Sequence, residues 1–587
     1  MSGPTPADAA VGSSALAGAG PARPEAHRSA PAQATPPKAI STQASSAQAT
    51  SAQRTDQQPA TPAAQNSALP LPRALAYLAA ATALAVTQGL GQGFVSANLP
   101  AYAAELGVTT TQAAWLVVAY TIPRTALPLM LIKLRTQFGL RRFALWGITA
   151  QVLVAIAALS ITDLRSAIIV QLLAGSAAAT LSTLAFLYTL EPLSPAWKMR
   201  LGLPFALALM MSGPSLARVV SPALIGDGGL GWLHLTSLAL AMVSMALVWL
   251  LPLRPVPHQK VIQPLDLLSF GLIGLGFGGL IAAFVMGPLH DWTDAPWIGA
   301  LLVVAVAALA LAVAIELNRR MPILDIRWLV SPAMLHLTAT LLLFRLILSE
   351  QSAGAPRMFQ ALGVAPEQMT GLFAVIVAAS LLGGLACVGW MRPDRIAAFH
   401  LTALALIMAG AWMDSHASPD TRPMQMLVSQ AMIAFAGMLF MVPAMMTGLM
   451  AALARGPQYL LSFVIVFIST QSLGGVIGAG LFSTLVTHRQ AVHLQDLTAQ
   501  MQPTDPATVA AIAARAGALA QQMPDAAMRQ AQAVTGLVSE ASRQAMVMAY
   551  DDAYRLTFLL AAMAAGALLL HVLRDRLAPL PNPSTQS

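Results

Sequence analysis

From Pro72 onward the chain alternates between apolar runs and short polar connections. Fourteen of the runs, from 75–99 to 553–574, are long enough to cross a bilayer. Inside hydrocarbon every backbone N–H and C=O must be bonded within its own segment, so runs of this kind are helices. The chain is 57% hydrophobic and only 10% charged, against about 25% charged residues in an average soluble protein. The expected fold class is therefore an all-α polytopic membrane protein, and the lipid bilayer is its first partner. A net charge of +8 does not call for nucleic acid, because Lys and Arg gather in cytoplasmic loops and meet anionic headgroups. The single cysteine, Cys387, excludes an intrachain disulfide and argues against a thiolate metal site.

Charge orients the runs. With the N-terminus inside, the short loops after even-numbered runs carry fourteen Lys and Arg residues, among them Lys133, Arg135, Arg141, Arg142, Arg200, Arg254, Arg320 and Arg455. The short opposite loops carry three, Arg165, Arg357 and Arg422. This bias puts both termini in the cytoplasm of a protein of the cell's inner membrane. Residues 1–70 are rich in Ala, Pro, Ser and Gln and are expected to be a disordered cytoplasmic tail. A second short tail is expected at 577–587. The one long outer connection, 487–552, reads as a helical hairpin. Asp505-Pro506 starts one helix as cap and first residue, and Pro524-Asp525 separates it from the next.

Polar residues inside the runs are the candidates for function. Arg124 lies near the middle of the second run, 111–133, where a charge costs about 2.5–3.5 kcal/mol on insertion scales and faces other helices or water. Arg218 lies in the fifth run and Arg345 in the ninth, 332–350, with Glu350 at its outer end. Each arginine suits an anionic group or a carboxylate partner; snorkelling or pairing with a carbonyl is the plainer alternative. Few acidic residues fall within the runs, so Glu350 is the candidate proton carrier. Gln88, Gln92, Ser96 and Asn98 form a polar stripe on the first run, and Gln171 interrupts the fourth. These face a cavity or bond to neighbouring helices. Methionines of the twelfth run, Met432, Met438, Met441, Met445 and Met446, suit adaptable apolar binding or plain core packing. His400 is expected at the cytoplasmic interface.

Small residues mark close helix contacts. Gly213, Ala217 and Ser221 recur every four residues on the fifth run, beside Pro214 and Pro222. Gly474 and Gly478 do the same on the thirteenth, and Gly271, Gly274 and Gly278 on the seventh. Such faces let membrane helices approach closely, and the prolines bend them. No phosphate-binding glycine loop, zincin motif or other catalytic constellation is present. No enzyme activity, cofactor or metal is expected, and an ion gradient or the substrate's own gradient must supply energy for any transport.

Four stretches carry a resemblance. Trp115 and Tyr120 precede Gly139, Arg141 and Arg142; Gly213-Pro214 interrupts the fifth run; Asp266, His290-Asp291-Trp292 and Pro322-Ile323-Leu324-Asp325 flank the seventh and eighth; LGGVIGAGLFSTLVTHR and Ala549-Tyr550-Asp551-Asp552-Ala553-Tyr554 belong to the last two. In this order they resemble the major facilitator superfamily, in its fourteen-helix drug:proton antiporter branch. The resemblance implies a six-helix bundle at 71–254, two linker helices at 255–328 and a second six-helix bundle at 329–576. It implies proton-coupled efflux of small amphipathic molecules by alternating access, with Gly213-Pro214 sealing the bundle interface and Gly139, Arg141 and Arg142 acting in gating; from the residues themselves, Arg124, Gln88 and Gln92 are expected to line the cavity, Arg124 being a charge the family pattern lacks. In this branch a periplasmic adaptor and an outer-membrane channel complete the route. The chain departs from the pattern where the family has charges: Thr136-Gln137 replaces Asp-Arg, Gly91 stands for an Asp, Gln171 for an Arg, and Ala217-Arg218 for Gly-Pro. A facilitator or organic-anion exporter with altered coupling, and a receptor on a transporter fold, are the alternatives.

Overall fold

Fourteen helices among the described residues are long and apolar enough to cross a bilayer. They are α1 Leu71–Ala97, α2 Thr110–Leu131, α3 Leu140–Ala158, α4 Leu164–Leu190, α5 Pro195–Gly226, α6 Leu230–Leu250, α7 Pro264–Leu289, α8 Pro296–Leu317, α9 Pro332–Ala361, α10 Pro366–Trp390, α11 Ile396–Asp414, α12 Pro423–Arg455, α13 Ser462–Gln500 and α14 Ala526–Arg574. The computed structural model describes residues 69–254, 259–319, 322–502 and 504–577. Apart from Leu69, Pro70 and Leu577, the two expected tails lie outside the described residues, as does Arg320.

The helices pack as a repeated unit. In the first six, α1 lies on α5, α2 on α4 and α3 on α6; in the last six, α9 lies on α13, α10 on α12 and α11 on α14. Adding eight to each helix number maps one set onto the other. The two sets meet where α5 packs along α10 and α2 along α13, contacts that the same mapping interchanges. This is the two-bundle architecture of a major facilitator fold, with α7 and α8 as the extra pair. Leu, Val and Trp side chains face outward, including Trp146, Trp249, Trp390 and Trp412. That is the surface expected of a body solvated by lipid, with aromatic residues near helix ends.

Small residues set the helix spacing as expected, with one correction. A Cβ at Gly213 would run into the Gly89 backbone, and one at Gly93 into Ala217 and Pro214. The Gly213 face therefore closes α5 onto α1 inside its own bundle, rather than sealing the interface between bundles. That interface is made by other faces of α5: Pro204 and Ala208 approach Gly384 of α10, and Arg218 reaches Phe373 further along. On α13, Gly474 and Gly478 receive Arg345 and Ser349 of α9. Gly278 of α7 meets Ile122 of α2, while Gly271 meets nothing within 4 Å. The α12 methionines Met438, Met441, Met445 and Met446 are core residues of the second bundle. His400, one turn into α11, is half-buried and stacks on Phe440 at 4.2 Å.

Buried charges fix the linker pair. Asp266 at the start of α7 is wholly buried and pairs with Lys133 and with Arg319, each at 2.6 Å. Arg319 also pairs with Glu316 at 2.8 Å, and Glu316 accepts the backbone N–H of Ile323 at 2.5 Å. Asp325 caps the turn Ile326–Leu329. The residues that depart from the family pattern belong to the same region: Gln137 accepts the Ile262 N–H at 3.0 Å, and the Thr136 carbonyl accepts that of Gln259. Gly139, φ 82°, lets the helix that contains α2 stop and α3 start without a spacer, because a side chain there is strained. Arg141 and Arg142 are exposed beside it.

Two expected boundaries move. The ninth span does not end at 350. It continues as three pieces, Pro332–Ile347, Ser349–Ala353 and Ala355–Ala361, so Arg357 lies in a helix and not in a loop. Pro356 has no N–H to continue the helical ladder, and Gly354 takes a non-helical ψ of −103°. The hairpin also differs. The helix containing α13 runs unbroken over 44 residues to Gln500, and α14 belongs to a 52-residue helix, Ala526–Leu577. The long connection is mostly an extension of these two helices beyond the bundle, about 30 Å being enough to span hydrocarbon. Asp552 ties them where they leave it, accepting from Arg489 at 2.6 Å and pairing with His493 at 2.8 Å. Helix Pro506–Ala518 packs on the second arm, with Asp505 as its cap as expected.

Candidate functional site

The polar residues that the sequence singles out fall into three groups. The first lies between the bundles at mid-span. Arg124 of α2 donates to the Gln92 side-chain oxygen of α1, and Tyr120, one turn away, sits beside both Arg124 and Gln88. Arg345 comes from α9, in the other bundle, and interacts electrostatically with Arg124. Its stem lies against Gly474 and its guanidinium against Gly475; any larger residue there displaces it. Gln471, one turn before Gly475, shares that helix face. Ser469 of α13 donates to the Thr125 carbonyl of α2 at 3.4 Å, stitching the bundles at this level.

This group is rich in unused hydrogen-bonding capacity. Both side-chain polar atoms of Gln471, the Thr125 hydroxyl and the Arg345 Nε are buried without a protein partner, whereas Gln88 and the Tyr120 hydroxyl lie against each other. Among the described residues neither arginine forms an ion pair with a carboxylate. Buried polar groups are normally satisfied. Gln171 is not brought to Arg124: it lies on α4, one turn from Gly175, whose backbone packs against Tyr120 and Pro123 of α2.

The second group is Glu350 with two residues that sequence reasoning missed. Glu350 is fully buried in the middle piece of the interrupted α9. Gln430 of α12 donates through Nε2 to Glu350 Oε1 at 2.7 Å and to Asp414 Oδ2 of α11 at 2.8 Å. The Ser429 hydroxyl donates to the other Asp414 oxygen. No Lys or Arg among the described residues pairs with either carboxylate. Tyr554 of α14 interacts with both and closes over Gly354 at the break in α9, where a side chain would collide with its ring. Asp414 was hidden because it stands at the end of its apolar run, where an acid reads as a loop residue. The available signal was the polar run Ser349-Glu350-Gln351-Ser352, matched by Ser429-Gln430 in α12.

The third group lies toward the hairpin end of the bundle interface. Asn98 and Arg218 line one cleft with Gln360, Met369 and Phe373. Asn98 thus stands apart from Gln88 and Gln92. Its amide donates to the Phe94 carbonyl at 2.8 Å and marks the turn at the end of α1.

No family model matches the chain. Among proteins of known role it is similar to the multidrug export protein EmrB of Escherichia coli K12, 23% identical over 486 residues that cover 80% of this chain and 89% of EmrB. It is 25% identical to the fatty acid resistance protein FarB of Neisseria gonorrhoeae over 261 residues, 43% of this chain and half of FarB. Among solved structures it is similar to a bacterial homologue of the human drug peptide transporters PepT1 and PepT2, with a TM-score of 0.51 at 12% identity. The human organic anion transporter MFSD10 gives a TM-score of 0.50 at 11% identity. The match covers 86% of this chain in the first case and 84% in the second, and the whole of each neighbour; at such identity the likeness concerns the fold. Taken with the fourteen spans and the paired bundles, these likenesses describe a multi-pass membrane protein with the fold of these transporters.

Proposed function

We propose that the chain exports small amphipathic molecules by alternating access and couples their movement to protons. The observation that carries this reading is the Glu350–Gln430–Asp414 cluster: two carboxylates on different helices, sharing one neutral donor in an apolar setting. Like charges so placed favour exchange of a proton over two stable anions. The cluster lies in a broken helix, and interrupted helices are where transporters place coupling sites. Five residues before Glu350 on the same helix, Arg345 faces the mid-span layer with Arg124 and Gln92. Protonation at one site and occupancy at the other therefore act on one element. The names of EmrB and FarB, a multidrug exporter and a fatty acid resistance protein, support an amphipathic cargo.

In this reading both termini are cytoplasmic in the inner membrane, as the loop charges require. The extended arms of α13 and α14 then project outside, where a periplasmic adaptor would dock. Gly139, Arg141 and Arg142 bend and anchor the α2–α3 connection during rocking. A second reading, a facilitator or exporter of organic anions without proton coupling, is favoured by one observation: Arg124 and Arg345 have no carboxylate partner among the described residues. Everted vesicles separate the two. Cargo uptake that collapses when the pH gradient is dissipated supports coupling; uptake indifferent to the gradient supports the second reading; no uptake of any amphipathic probe counts against transport.

A further inference from the structure

We infer that the turn between α7 and α8 is a releasable clasp, in which Trp292 holds the two bundles together at the hairpin end of the α2–α13 seam. Helix α7 straddles that seam, packing on both α2 and α13. Leu473 and Val476 of α13 lie against an apolar cluster that α2 and α7 build from Val118, Ile281 and Met286. The approach to α13 is close, since a Cβ at Gly480 would run into the Phe284 carbonyl. At its start α7 is tied to the first bundle by the buried Asp266–Lys133 pair. At the hairpin end the tie reaches both bundles. The Trp292 indole N–H donates to the Thr484 hydroxyl of α13 at 2.8 Å. Trp297, in the first turn of α8, lies against Trp115 of α2, with ring centroids 6.1 Å apart. His290 lies 5.8 Å from the Trp297 ring. The turn therefore spans the seam from α2 to α13.

Two observations make this tie the releasable one. Asp291 and Trp292 both have positive φ, 46° and 32°, a backbone strained for residues that carry side chains. Such a turn persists only where its surroundings hold it. Here the Trp292 ring covers Gly287, where a Cβ would come within 2.5 Å of it, and meets the Phe284 ring edge-on at 5.4 Å. The bond to Thr484 completes the hold, and without it the turn relaxes. The second observation is a contrast between the two ends of α7. Asp266 is a wholly buried carboxylate between two cations, whereas Trp292 is a half-buried ring with a neutral hydrogen bond. The Thr484 hydroxyl also donates to the Gly480 carbonyl at 2.9 Å, so it stays satisfied when the indole leaves. If α2 and α13 separate at this end, the clasp must part. The inference rests on alternating access and not on proton coupling.

The test is the distance across the seam, measured by pulsed electron spin resonance between labels at Thr110→Cys and Thr487→Cys. Both positions are exposed, one on α2 and one on α13. The full chain is used in nanodiscs, in a Cys387→Ala background, with neither cargo nor pH gradient. Thr484→Val should raise the ratio of long to short distances by about threefold or more, the scale of one neutral hydrogen bond. Thr484→Ser keeps the hydroxyl and should match the parent. Trp292→Phe should raise the ratio at least as much as Thr484→Val. Adding Thr484→Val to Trp292→Phe should change nothing further, because both remove the same bond. If Trp292→Phe fails to fold, Thr484→Val against Thr484→Ser decides alone. An unchanged ratio in Thr484→Val, an equal rise in Thr484→Ser, or full additivity of the two changes overturns the proposal. The expected shift in a chain that moves no cargo supports the clasp and counts against the transport reading alone.

Discussion

Glu350 and Asp414 share a single hydrogen-bond donor, the Gln430 amide nitrogen, at 2.7 and 2.8 Å. One amide cannot neutralise two carboxylates, and neither acid has a cationic partner among the described residues. The pair sits where α9 is interrupted, so a change in its charge acts on the hinge between Arg345 and the hairpin end. Gln430→Leu should therefore lower gradient-driven transport more than it lowers folding stability, because it removes the bridge and leaves both acids. Parallel uptake and thermal-unfolding measurements check this.

Arg124 is expected to act on cargo and not on protons. Among the described residues its hydrogen bond goes to the neutral Gln92, and the mid-span layer around it holds the unpartnered Gln471 amide and Thr125 hydroxyl. Arg124→Gln should weaken cargo binding by about tenfold or more, the scale of one charge-assisted hydrogen bond of roughly 1.5–3 kcal/mol. Binding measured without a gradient should fall to the same extent as uptake measured with one.

The α1–α5 contact predicts a contrast between two glycines. Gly213→Val drives a side chain into the Gly89 backbone and should destabilise the protein by roughly 1–3 kcal/mol, the usual range for overpacking. Gly271→Ala enters open space and should stay within about 0.5 kcal/mol of the parent. Unfolding in detergent compares them directly.

Asp266 is wholly buried between Lys133 and Arg319. Removing one member of a buried pair leaves a charge uncompensated and typically costs about 3–5 kcal/mol. Asp266→Leu should show a loss of that order, and adding Arg319→Leu should not recover it, because Arg319 also pairs with the buried Glu316. Thermal unfolding of the single and double variants makes the comparison.

The hairpin helix Pro506–Ala518 should have a pH-dependent start. The Thr508 hydroxyl and N–H bond to the Asp505 carboxylate and hold it below the usual aspartate range. A depressed acid stabilises the fold at pH above its unfolded value of about 3.9 and loses that contribution as pH falls through the lower folded value. Amide exchange at the start of this helix should accelerate below about pH 4 beyond the intrinsic rate. Asp505→Asn, which caps without titrating, should remove the dependence.

Much of this architecture was legible in the sequence because the bilayer imposes simple rules. Apolar length gave fourteen spans, and four-residue spacing of Gly213 and Ala217, or of Gly474 and Gly478, marked the close helix faces. Arg124 and Arg345 stood out because a charge in an apolar run has few explanations. Partners were harder to read, because they come from distant helices. Spacing on α5 did not say that Gly213 would meet Gly89 rather than the other bundle. Asp414 looked like a loop acid, and Gln430 like one more polar residue, until folding brought both to Glu350. Asn98 belonged by spacing with Gln92, but the turn after α1 carries it to another cleft.

The carboxylate pair is the proposed proton carrier. Substrate-induced proton flux, recorded with a pH dye in proteoliposomes, tests it on Glu350→Gln, Asp414→Asn and the double variant, each shown to bind cargo like the parent. Either single change should reduce the flux by about tenfold or more (roughly 1.4 kcal/mol per decade), and the double change should remove it. Proton flux undiminished in the double variant would contradict this assignment.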